Sequence, residues 1–148
     1  MTTRRAVLFG TLVVGGLDAL DAIVLFGLRG ATPTRIFQSI AAGLLGRSAF
    51  SGGMATAALG VVLHFFIAFL IVATYVLASR RFALLTRAPI VCGLVYGVLA
   101  YLFMNLVVLP LSAAGRPTFV LPVVINGVLI HMLGVGLPSA LFAKAASG

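Results

Sequence analysis

The chain has 148 residues, 62% hydrophobic and 8% charged, with ten basic residues against two acids and a net charge of +8. Soluble domains carry about 25% charged residues. This balance, with a mean hydropathy of +1.26, excludes an ordinary soluble domain and points to a single polytopic membrane domain over residues 1–148.

The first apolar run, 6–28, lies between Arg4-Arg5 and Arg29. It outlasts the apolar core of a signal peptide, about 7 to 15 residues, and Ala19-Leu-Asp-Ala22 is a poor cleavage match, so it reads as a retained helix. Inside it sit Asp18 and Asp21, the only acids of the chain. Hydrocarbon solvates a carboxylate poorly, at a cost of about 2.5 to 3.5 kcal/mol on insertion scales. Acids three residues apart share a helix face, and that face is expected to meet protein or water.

Between Gly30 and Gly53 the pattern changes. Thr32 is a cap, Pro33 a first-turn residue and Gly46 a stop. Ile36, Phe37, Ile40, Ala41, Leu44 and Leu45 fall on one face, with Thr34, Arg35, Gln38 and Ser39 opposite. This predicts a short amphipathic helix that lies in the interface or dips back into the bundle. Three more runs suffice to span at about 20 apolar residues each, over 54–79, 88–111 and 118–143. Short polar links around Arg80, Arg81 and Arg87 and over Ser112–Pro117 make neighbouring spans antiparallel. The expected fold is an all-α, antiparallel four-helix membrane bundle with an interfacial helix between its first and second spans. Pro110 is expected to end the third span, Pro122 to kink the start of the fourth, and Pro138 to fall in its last turn.

The basic residues stand at the ends of apolar runs, as topology determinants do. With the N-terminus inside, Arg4, Arg5, Arg80, Arg81, Arg87 and Lys144 are cytoplasmic, and Arg29, Arg35, Arg47 and Arg116 lie opposite. The excess favours cytoplasmic N- and C-termini. No basic patch is interleaved with aromatics, so nucleic acid is excluded as a partner. The lipid bilayer is the expected partner, with a homo-oligomer or a larger membrane complex as the further option. Cys92 stands alone, which rules out an internal disulfide.

At about 1.5 Å per helical residue, Asp18 and Asp21 lie roughly 15 and 10 Å from the outer end of the first span. His64 lies roughly 15 Å down the second, Asn105 about 9 Å down the third and Asn126 about 12 Å down the fourth. His131 is deepest, at roughly 20 Å. These six residues define a candidate polar pocket in the outer half of the membrane, open outward and closed beneath. Asp18 and His64, at matching depth, are expected to face one another and share a proton. Gly15, Gly60, the Gly93-x-x-x-Gly97 pair, Gly127 and Gly134 accompany them on faces suited to close helix contact.

Two readings stand for each group. The acids are structural hydrogen-bond partners, with Asp21 pairing to Arg29, or they bind a proton or cation. The histidines make inter-helix hydrogen bonds, or they serve as metal ligands, haem ligands or a proton relay. Two His and two Asp can complete a tetrahedral metal set. The estimated His depths differ by about 5 Å, against a bis-histidine haem. No Ser/His/Asp triad, Walker loop or dinucleotide fingerprint exists, so no enzymatic chemistry is assigned.

His64-Phe-Phe-Ile-Ala with Tyr75, Gly93-x-x-x-Gly97, Met104-Asn-Leu-Val-Val-Leu-Pro-Leu111 and a last helix with His131 and Gly134 resemble the YagU-like group of small bacterial inner-membrane proteins. Pro33 to Gly53 resembles a related short membrane family. The chain is shorter than the YagU-like proteins and lacks their longer polar periplasmic stretch. The resemblance implies a four-helix inner-membrane fold and carries no established activity. The leading expectation is thus an inner-membrane protein whose pocket binds or passes a proton, cation or small polar solute. A non-catalytic accessory or scaffold subunit of a larger complex is second, and a metal- or haem-binding redox protein third.

Overall fold

The computed structural model describes residues 1–148. It is all-α, with four helices long and apolar enough to cross a membrane: α1 (Thr3–Gly27), α3 (Gly53–Ser79), α5 (Pro89–Leu111) and α6 (Leu121–Ala145). Two shorter helices, α2 (Pro33–Leu45) and α4 (Leu84–Arg87), join them. The spans run antiparallel, and both chain termini meet at one end, where the Met1 amino group donates to the Ala145 carbonyl at 3.1 Å. Arg80 Nη1 donates to Thr3 Oγ1 at 2.9 Å at the same end.

Large apolar side chains such as Leu12, Val62, Leu99 and Leu133 point outward from every span. Such a continuous surface marks contact with lipid rather than water. The interior is built from small residues instead. Ala6, Ala57, Ala68, Ala100, Ala140 and Ala143 are buried. Small side chains let backbones approach closely, which drives helix association where lipid tails are as apolar as leucine. On α5, Gly93 and Gly97 lie against the α6 backbone at Gly136 and His131, where a β-carbon would collide. The GxxxG pattern is thus a packing device, as its spacing suggests.

α1 packs on α3 and α6, and α5 packs on α6. α3 and α5 stand further apart. They are bridged by Tyr96, whose hydroxyl donates to the Ile71 carbonyl at 2.7 Å and whose ring meets Tyr75 edge-on at 5.0 Å. Beyond these tyrosines, away from the termini, the separation opens into a cavity.

Thr32 caps α2 by accepting from the Arg35 amide at 3.2 Å, with Pro33 in the first turn. Gly46, at φ +61°, ends it. Its buried face differs from the expected one. Ile36, Gln38, Ala41 and Ala42 are buried while Leu44 and Leu45 are exposed. The expected face assumed water on the polar side. Here Gln38 turns inward to donate to the Gly53 carbonyl at 3.0 Å, anchoring α2 to the start of α3. At the other end of α2, the Ala113 amide donates to the Gly43 carbonyl at 3.0 Å. α2 therefore crosses the far end of the bundle from α3 to α5.

Two spans change pitch midway. Met104–Val108 in α5 and His131–Gly136 in α6 are π-turns. Each is followed two residues later by a proline, Pro110 and Pro138. Proline lacks an N–H and its ring presses on the carbonyl four residues back, and a widened turn relieves this. Pro138 therefore sits just past a π-turn and not in the last turn of α6, which continues to Ala145. Pro110 follows its π-turn, and α5 runs one residue further, to Leu111. Pro122 occupies the first turn of α6.

Candidate functional site

The cavity between α3 and α5 has a volume of about 330 Å³, with walls from α1, α2, α3, α5 and α6. Its floor is Val14, Ala68 and Val135, part of a closed apolar core that continues through Val72, Tyr75 and Val76 toward the termini. Ser39 of α2 and Ser112 after α5 line it at the far end. The cavity is closed beneath by this core, and α2 lies across the side expected to be open.

Asp18 stands at the centre of the polar wall. Its Oδ2 is 3.9 Å from His64 Nδ1 and its Oδ1 is 4.0 Å from His131 Nδ1. Side chains from two other spans thus converge on one carboxylate. Asp18 and His64 face one another as their depths predict. His131 joins them although its estimated depth was greater. The reason is the start of α6. The helix begins at Leu121, three residues later than expected, which lifts His131 to about 15 Å from that end, level with its partners.

Backbone carbonyls position both imidazoles. His64 Nε2 lies 2.8 Å from the Gly15 carbonyl oxygen and His131 Nδ1 lies 2.9 Å from that of Gly127. A carbonyl only accepts, so each of these nitrogens carries the proton. Gly15 makes the first contact available, because a side chain there would meet the Phe65 ring at 2.6 Å. His64 is also flanked edge-on by Phe65 at 5.4 Å, and His131 by Tyr101 at 5.4 Å. The consequence for His64 is specific. With Nε2 protonated, a neutral ring turns the Nδ1 lone pair toward Asp18. An ionised carboxylate and a lone pair repel unless a proton or a donor stands between them. At 3.9 Å the pair exceeds hydrogen-bond length, which suits a bridging donor better than a direct bond.

Asn105 lines the cavity from the π-turn of α5, and its amide donates back to the Tyr101 carbonyl at 3.0 Å. Asp21 and Asn126 do not belong to the cavity. Asn126 Nδ2 donates to Asp21 Oδ2 at 2.7 Å, across the α1–α6 seam. Three residues of helix leave the two acids about 60° apart. The cavity takes one carboxylate and the seam takes the other. Asp21 makes no ion pair with Arg29.

This division bears on metals. With Asp21 turned away, the two-His, two-Asp set is not assembled, and no group of three such side chains anywhere in the chain is placed to hold a metal ion. For haem, matching depth removes one objection and geometry raises another. The Asp18 carboxylate occupies the space between the two rings, and each ring spends one nitrogen on a backbone carbonyl.

Sequence reasoning missed Ser39, Ser112 and the aliphatic wall of Ile67, Ile71, Val108 and Leu109. Pro110, two residues beyond its π-turn, was the available signal for the wall of α5, and Pro122 in the first turn of α6 was the signal for the placement of His131. Compared with known proteins, the chain matches no family model, no curated protein and no solved structure. Fold and site together define a class, a multi-pass all-α membrane protein with a carboxylate held between two imidazoles beside an internal cavity.

Proposed function

We propose that this is a bacterial inner-membrane protein, with both termini cytoplasmic, whose cavity binds or passes a proton, cation or small polar solute in the outer half of the bilayer. One observation carries the reading: Asp18, an acid placed in a membrane span, lies within 4.0 Å of two imidazoles beside a cavity of about 330 Å³. Intramembrane acids are costly and mark ion or proton sites by default. A purely structural acid would be expected to accept from a hydrogen-bond donor, as Asp21 does from Asn126. Asp18 instead faces a cavity at distances longer than hydrogen bonds.

The resemblance of the His64, Gly93–Gly97 and Met104–Leu111 segments to YagU-like proteins supports the inner-membrane placement, as does the excess of basic residues at the termini end. Asp18 is the primary site, and His64, His131 and Asn105 form its shell. The accessory-subunit reading assigns the same residues to packing alone. Purified protein in detergent separates the two. Replacing Asp18 by Asn keeps the shape and removes the titrating charge. On our reading Asp18→Asn folds and loses solute- and proton-dependent thermal shifts. If the variant is stabilised and every solute response persists, the carboxylate is structural and the accessory reading stands.

A further inference from the structure

The cavity's chemistry narrows the ligand. None of the ten Lys and Arg residues lines it, so its only formal charge with neutral imidazoles is the negative charge of Asp18. On the His64 side of that charge the hydrogen-bonding groups are acceptors, while the Nδ1 proton of His131 on the other side is turned to the Gly127 carbonyl. Both Asp18 oxygens accept, and His64 Nδ1 accepts because Nε2 donates to Gly15. Two acceptors 3.9 Å apart can each lie about 2.9 Å from one nitrogen placed between them. A primary ammonium carries three N–H donors on one nitrogen, as lysine does, and matches this arrangement. Beyond it the walls are aliphatic, with Ile67, Ile71, Val108 and Leu109. No Phe, Tyr or Trp lines the cavity, so the aromatic faces that hold quaternary ammonium ions are missing there.

Resting on the pocket reading above, we infer that the ligand is a small aliphatic primary amine in its ammonium form, which exchanges with a proton held by Asp18 and His64. The two states are exclusive for an electrostatic reason. The pair needs one positive charge to relieve the repulsion between carboxylate and lone pair, and either a proton carried by one of the two groups or an ammonium placed between them supplies it. The step balances: R–NH₃⁺ enters as a cation, one H⁺ leaves, and the charge of the site is unchanged. Few other groups compete for that proton. α1 contributes Asp18 and α3 His64. α6 contributes His131, whose Nδ1 proton is turned to Gly127. α5 presents Asn105, with Tyr101 behind it against His131, and α2 presents Ser39 and no ionisable group.

The test uses the full chain in detergent, with n-butylammonium chloride as the probe. Tetramethylammonium (same charge, no N–H), 1-butanol (same chain, no charge) and potassium are the comparators. Calorimetry and an indicator dye in weak buffer report binding and proton release. We expect n-butylammonium to bind and to release about one proton per site, with the comparators weaker by about tenfold or more, as expected for lost charged hydrogen bonds. Asp18→Asn should weaken binding by about tenfold to a hundredfold. Val108→Phe, which narrows the cavity and leaves the charge, should block binding while the pH response of the site persists. Equal binding of tetramethylammonium or 1-butanol overturns the ammonium inference while leaving the pocket reading standing. So does an Asp18-dependent proton titration without n-butylammonium binding. Loss of both the titration and all binding overturns the two together.

Discussion

Gly97 sets the distance between α5 and α6, and through it the position of His131. A β-carbon added there would lie 2.6 Å from the His131 carbonyl carbon and 2.6 Å from Met132 Cα. Carbon atoms pack best at about 3.5–4.0 Å, so the helices would have to part by about 1 Å. Overpacking costs about 1–3 kcal/mol, and contact with rigid backbone puts Gly97→Ala at the upper end. Alanine's higher helix propensity returns about 1 kcal/mol, which leaves a loss of about 2 kcal/mol and a melting point lower by about 4–8 °C. The same movement would displace His131 from its place 4.0 Å from Asp18 and weaken any pocket response. Thermal unfolding by circular dichroism in one detergent measures the first effect. Gly16→Ala is the control, because nothing lies within 4 Å of a β-carbon at that position, and it should hold or raise the melting point. If Gly97→Ala melts with the Gly16→Ala control, backbone contact between α5 and α6 is not what positions the site.

Asn126→Ala removes the partner of Asp21 and should cost about 1 kcal/mol in thermal stability, with pocket responses intact; loss of those responses would return Asp21 to the site. Gln38→Ala frees α2 from the start of α3, and hydrogen exchange over 33–45 should quicken relative to α3; unchanged protection would mean that the Gln38 bond does not hold α2 across the cavity. A reporter fused at Gly148 should report a cytoplasmic C-terminus, whereas a periplasmic one would move the cavity to the cytoplasmic leaflet.

The spans were legible because hydrocarbon imposes length and composition on a helix, and their ends fell within three residues of the observed ones. The Asp18–His64 meeting was legible for a related reason: polar groups at equal depth seek each other. Three features were not. The buried face of α2 was misjudged because a helix against lipid can bury Gln38 and expose Leu44, reversing the pattern that holds in water. The late start of α6 depends on Pro122 and the turn before it, which apolar counting ignores. The separation of Asp18 from Asp21 depends on which seam each meets, and this follows from bundle geometry that no single helix encodes. The glycines at 15, 60, 93 and 97 were legible as packing positions, and only the fold shows that Gly15 offers its carbonyl to His64.

The tautomer of His64 tests the central claim most directly. Nitrogen-15 spectra of histidine-labelled protein distinguish a protonated ring nitrogen from a bare one. The geometry requires His64 with Nε2 protonated toward Gly15 and with Nδ1 answering to the state of Asp18. The Nδ1 signal should therefore change in Asp18→Asn, while Nε2 stays protonated. A His64 ring protonated at Nδ1 with Nε2 bare, or an Nδ1 signal indifferent to Asp18→Asn, would contradict the shared site.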